Sequence, residues 1–136
     1  MAWVVDSCIL VDIAIADPAF ATSAATLLNS LRNDGLVICP VSVVEIAPLF
    51  DGSLAAIGDL ATGVGADMET EWTWSDTEAA SKAWARYVAM KRLGQTPKRP
   101  LADILIGAFA LRAGGLLTRN PKHFTPIFPT LPIAMP

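Results

Sequence analysis

Short apolar runs alternate along the chain with longer amphipathic ones, and turn residues separate them. "AWVV", residues 2–5, predicts a short buried strand that ends at Asp6. Ser7 is placed to cap a helix over "CILVDIAIA", which must stop before Pro18. A second helix over "ATSAATLLNSLRNDG" closes at Gly35. "LVICPV" is apolar and rich in branched residues, which predicts a second buried strand. Ser42 would then cap "VVEIAPLF", a helix that Pro48 shortens or kinks. Residues 54–66 are Ala- and Gly-rich and read as helical. "TEWTW" alternates polar and apolar residues, which predicts a third strand near an edge with Trp72 and Trp74 on one face. Ser75, with Glu78 three residues on, opens the amphipathic run "SDTEAASKAWARYVAMKRLG". "QTPKRP" is a loop, "LADILIGAFALRAGG" a helix and "GLLTRN" a fourth strand; the proline-rich tail has room for a fifth around residues 131–133.

Strands alternating with helices imply one α/β domain over residues 1–136, a parallel sheet of about five strands flanked by helices. Composition agrees: 53 % of residues are hydrophobic and 17 % charged, too apolar for a disordered chain. Every uncharged stretch is shorter than the roughly 18 residues a membrane span needs. Asp6 interrupts the apolar start, so no signal peptide is expected. Two cysteines, Cys8 and Cys39, are too few for a disulfide scaffold or a structural zinc site. A cytoplasmic protein with reduced thiols is the expectation.

Net charge is only −3, but it is unevenly spread. Residues 1–81 hold twelve acids against one base, Arg32; residues 82–136 hold nine bases against one acid, Asp103. Such a split suggests a cationic face for an anionic partner, or a dipolar surface that helps two subunits dock. In open parallel sheets, ligands bind beyond the carboxyl ends of the strands, where strand order reverses. Asp6 ends the first strand, Glu45 lies one turn into the helix after the second, and Asp103 opens a later helix. Thr118 and Asn120 end the fourth strand, so all five point to one edge. Asp103 also shares a small-residue face with Gly107 and Ala110, where a strand has room to approach.

Three carboxylates brought together repel and raise one another's pKa values unless a cation sits between them. Mg2+ and Mn2+ favour oxygen ligands and assist attack on phosphodiesters without any histidine or cysteine nucleophile. His123, the only histidine, follows the fourth strand and has no required role in that chemistry. Each acid also has a plain structural reading. Asp6 can cap the first helix, and Asp103 can rest on a helix dipole worth roughly 0.3–1 kcal/mol.

"VVDSCILVDI", "PVSVVEIAPL", "RPLADILIGAFAL" and "LLTRNPKHF", taken together and in order, resemble the PIN-domain family and its VapC group of ribonuclease toxins. The resemblance implies a compact PIN-like three-layer fold, usually dimeric, that cleaves RNA with Mg2+ or Mn2+ and is inhibited by a cognate antitoxin. Carried over by motif, Asp6, Glu45 and Asp103 are the metal-binding acids, and Asn120 stands where the family often has a fourth. Thr118 matches a hydroxyl near the metal, and Ser7 matches the Ser or Thr after the first Asp. Cys8 replaces the Asn common at its position. Lys91, Arg92, Lys98, Arg99, Arg119 and Lys122 are then expected to rim the acidic cleft and hold RNA phosphates. A haloacid-dehalogenase phosphotransferase needs an Asp where Cys8 stands, and a response-regulator receiver needs an Asp and a Lys that are not evident. The remaining alternative is a PIN-like module that binds RNA or protein without cutting.

Overall fold

The computed structural model describes residues 1–92 and 100–136. The loop expected before Pro100, the candidate residues Lys98 and Arg99, and the side chain of Arg92 lie outside the described residues. Eleven elements follow one another: β1 (Ala2–Val5), α1 (Ser7–Ala14), α2 (Ala21–Leu31), β2 (Leu36–Val37), α3 (Pro40–Ile46), α4 (Leu54–Val64), β3 (Ala66–Asp67), α5 (Trp74–Arg92), α6 (Pro100–Ala113), β4 (Gly114–Leu117) and β5 (Ile133–Ala134). The strands form one parallel sheet in the order β3-β2-β1-β4-β5. The chain therefore winds outward from β1 in both directions, and β1 and β4 lie side by side where the order reverses.

Side chains of adjacent strand residues point to opposite faces. Val4 and Leu116 accordingly enter one apolar cluster, with α5, α6 and the C-terminal residues Phe124, Ile127 and Phe128. Val5 and Leu117 enter a second, with Ile9 and Leu10 of α1, Leu28 of α2 and Ile57 of α4. Helices thus cover both faces of the sheet. Helix α3 contacts both α1 and α6, which puts Glu45 between the helices that start at Ser7 and Pro100. Among the described residues, no single helix is long and apolar enough to cross a membrane.

Helix α6 explains why residues 100–113 lack a polar face. Ile104, Ile106, Ala108, Phe109 and Ala110 are all buried, because the sheet, α5 and the C-terminal segment enclose the helix. A helix apolar on every side is a buried helix.

Several expectations shift by a turn or less. The cap of α1 is Asp6, whose Oδ1 accepts from the Ser7 amide at 2.8 Å; Ser7 is the first helical residue. Helix α3 starts at Pro40, after Cys39, so β2 ends at Val37 and Ser42 lies within the helix. Pro40 lacks an amide and fits the first helical turn. The hydroxyl of Ser42 is buried without a partner among the described residues.

The expected strand over "TEWTW" is not formed, and β3 is Ala66–Asp67 instead. Thr73 and Asp76 exchange cap hydrogen bonds, which starts α5 at Trp74. The two tryptophans then diverge: Trp72 stacks on Phe109, while Trp74 is 74 % exposed.

The small-residue face of α6 is also occupied differently from the expectation. A Cβ built on Gly107 would collide with the Phe128 ring, so an aromatic side chain rather than a strand occupies the space beside it. Gly107→Ala should therefore destabilise the protein by about 1–3 kcal/mol, the usual range for an overpacked core. Urea denaturation checks this, and an unchanged midpoint would show that Phe128 can move aside.

Candidate active site

The reversal of strand order places Asp6, just after β1, beside Thr118, just after β4. Backbone bonds fix both: Asp6 N donates to Leu117 O at 3.0 Å and Thr118 N to Ala134 O at 3.1 Å. The Thr118 hydroxyl donates to Asp6 Oδ2 at 2.7 Å and accepts from the Asn120 amide at 3.0 Å. Cys8 Sγ donates to the same Oδ2 at 3.3 Å. One carboxylate thus caps α1 through Oδ1 and receives two side-chain donors at Oδ2.

Asp6, Ser7, Glu45, Asp103, Asn120 and His123 line one polar cleft of about 230 Å³. Larger grooves of about 480 and 450 Å³ are apolar and contain none of these acids. Within the cleft, the Ser7 hydroxyl donates to Glu45 Oε1 at 2.6 Å. His123 Nδ1 lies 3.3 Å from Asp103 Oδ2. A 3-10 turn at Pro121–His123 carries the imidazole there. Sequence reasoning left this histidine without a contact. The signal for it was its place three residues after Asn120, within reach of the same edge.

Burial is the largest influence on Asp6 and raises its pKa above the ordinary value of 3.8, although the bonds from Thr118, Cys8 and Ser7 pull the other way. Burial, followed by the nearby Asp6 charge, pushes the Cys8 thiol up to about 12. Cys8 is therefore a neutral donor at pH 7 and not a nucleophile.

The donor set suits a hard cation: three carboxylates, a hydroxyl and an amide side chain, with oxygen the dominant ligand atom. Among the described residues, no three His, Cys, Asp or Glu side chains stand close enough together to hold one ion. Mg2+ does not require three, since it takes one or two carboxylates and completes its shell with water and phosphate oxygens.

The expected cationic rim is only partly formed. Lys122 is exposed and lines a neighbouring pocket with Asn120 and His123. Lys91 is exposed near the end of α5 and does not line the cleft. The Arg119 guanidinium turns to α1, where it pairs with buried Asp12. That pair spans more than a hundred residues of chain, so nothing local in the sequence announces it.

No protein-family model matches the sequence, and no curated protein matches it significantly. Solved structures do. A chain in the crystal structure of VapBC2 from Rickettsia felis, bound to a DNA fragment from its promoter, superposes with a TM-score of 0.73 at 17 % identity; the match covers 99 % of this chain and 98 % of that one. The two chains share one α/β fold over nearly their whole lengths. In this fold, the β1–β4 junction carries Asp6 and Thr118, and α3 and α6 bring Glu45 and Asp103 to the same edge.

A carboxylate whose native pKa is raised stabilises the fold most below its ordinary pKa and loses that contribution as pH rises. Asp6→Asn should accordingly raise the Tm of the metal-free protein at pH 7. The gain should vanish below about pH 4. Calorimetry in a chelator across this range checks it, and a lower Tm at pH 7 would mean that the hydrogen bonds outweigh burial.

Proposed function

We propose that this protein is a metal-dependent endoribonuclease and the toxin of a toxin–antitoxin pair. The observation that carries the reading is the convergence of Asp6, Glu45 and Asp103 on one small polar cleft, at the sheet position where ligands of open parallel sheets bind. Two carboxylates among Asp6, Asp103 and Glu45 would hold Mg2+ or Mn2+, with water and a phosphate oxygen completing the shell. Such an ion would supply Lewis acidity, activating water and offsetting charge on the phosphodiester.

The chain's own residues prepare that arrangement. Thr118 fixes the orientation of Asp6 Oδ2, and Ser7 holds Glu45 against the first turn of α1. Asn120 presents a neutral amide to a phosphate oxygen, where a fourth carboxylate would repel it. His123 Nδ1 stands 3.3 Å from Asp103 Oδ2 and borders the place where a phosphate would enter. Lys122 attracts the RNA backbone from the adjacent surface. On this reading, Lys91, Arg92, Lys98 and Arg99 add to the positive charge of the C-terminal half, which favours an anionic partner.

The protein partner on this reading is a cognate antitoxin, and a second copy of the chain completes a homodimer in the cytoplasm. Exposed apolar residues such as Val44, Leu54 and Trp74 supply surface for such contacts. A non-catalytic binding module of the same fold would have no need to keep three carboxylates in one cleft, where burial works against at least one of them.

A chelator should abolish cleavage of RNA by the purified chain, and Mn2+ should restore it. Mn2+ at a hundred times its Kd should also stabilise the fold by about 2.7 kcal/mol. Asp103→Asn should lose both the cleavage and most of the metal-induced Tm shift, whereas His123→Ala should keep more than about a tenth of the activity. A full metal-induced shift in Asp103→Asn would remove that residue from the ligand set.

A further inference from the structure

Arg119 lies between two contributors to the cleft, Thr118 and Asn120, yet its own side chain leaves it. Nε donates to Asp12 Oδ2 at 2.9 Å and Nη2 donates to Oδ1 at 3.0 Å. The guanidinium carbon stands 4.1 Å from the centroid of the Phe20 ring. Asp12 is only 2 % exposed and lies on α1, the helix that Asp6 caps. A bidentate pair of planar groups fixes both a distance and an angle, and the ring beneath fixes the plane.

One clip therefore joins the segment after β4 to the helix after β1. These two segments supply the contacts among Asp6, Ser7, Thr118 and Asn120. The same segment runs on into the turn that brings His123 to Asp103. We propose that Arg119 and Asp12 are positioning residues of the cleft: their pair sets the registry between the Thr118–Asn120 segment and the Asp6 cap, and Arg119 does not bind RNA. The inference shares the cleft with the nuclease reading and depends on it only for the kinetic half of the test.

A second clip of the same chemistry provides the control. Arg112 Nε donates to Asp76 Oδ1 at 2.7 Å and Nη2 donates to Oδ2 at 2.9 Å, with the guanidinium 5.2 Å from the Phe109 centroid. Arg112 stands two residues before β4 and Arg119 two residues after it. Neither Arg112 nor Asp76 lines the cleft.

The test compares two double variants of the full chain, Asp12→Asn with Arg119→Gln and Asp76→Asn with Arg112→Gln. Each removes both charges, so that neither is left buried alone. Amide hydrogen exchange is read by NMR in the metal-free protein. In the first variant, the amides of Ser7 and Asn120, bonded to Asp6 and Thr118, should exchange about tenfold faster relative to those of β1 and β4. In the second they should keep their relative rates. With RNA as substrate, the first variant should lose about tenfold in kcat while KM stays within about threefold, and the second should keep its kcat.

A raised KM with kcat retained would make Arg119 an RNA contact and overturn the proposal. Equal effects of the two variants, or uniform acceleration over the whole sheet, would reduce the clip to general stabilisation and overturn it as well. If the first variant does not fold, Arg119→Lys, which keeps the charge without the fork, should show a smaller change at the same two amides. Unchanged exchange there would be equally damaging. A wild-type chain that cleaves no RNA would overturn the nuclease reading, and the exchange comparison would still decide this one.

Discussion

Asp6 keeps only 5 % of its surface exposed, so its charge has to be met by donors from inside the fold, and two neighbouring parallel strands bring them. The Thr118 hydroxyl reaches Oδ2 because β4 lies directly beside β1, and the Ser7 amide reaches Oδ1 because α1 begins at the next residue. A hydrogen bond to a charged group contributes on the order of 1.5–3 kcal/mol. The bond from Thr118 depends on the sheet order, which depends on the helical crossovers that return the chain in parallel. The candidate site is thus tied to the topology of the whole molecule and not to any one loop.

The helices then determine what else meets Asp6. Helix α3 is short and bridges α1 and α6, so Glu45 is held by the Ser7 hydroxyl at the start of the same helix that Asp6 caps. Helix α6 is buried on nearly every side, and Asp103 lies in its first turn, where partial exposure and the positive end of the helix dipole favour a charge. Apolar packing therefore does the placing of the acids, while the polar contacts fix their orientation.

Much of this was legible in the sequence because it is local or periodic. The apolar runs located β1 and β4, and the acids at strand ends and helix starts pointed to a common edge. The misread features involve choices between competing local signals. "TEWTW" alternates like a strand, but Thr73 and Asp76 cap a helix at that point, and Arg112 ties Glu71 and Asp76 together from a distant position in the chain. Ser42 has the chemistry of a cap, yet Pro40 had already begun the helix. The Arg119–Asp12 and His123–Asp103 pairs were not legible, because each joins residues that only the tertiary fold brings together. Lysine and arginine counts gave the cationic bias correctly but not which cations already had intramolecular partners.

The brevity of β4 has a consequence for how this chain can change. Its four residues, Gly114–Leu117, lie between two arginines, Arg112 and Arg119, that are each held at a fixed place by a buried aspartate and an aromatic ring. Inserting or deleting one residue between them would exchange the faces on which Leu116 and Leu117 lie and turn Thr118 away from Asp6. Neither anchor can slide to absorb the slip. Along this stretch the spacing is therefore as constrained as the residues themselves.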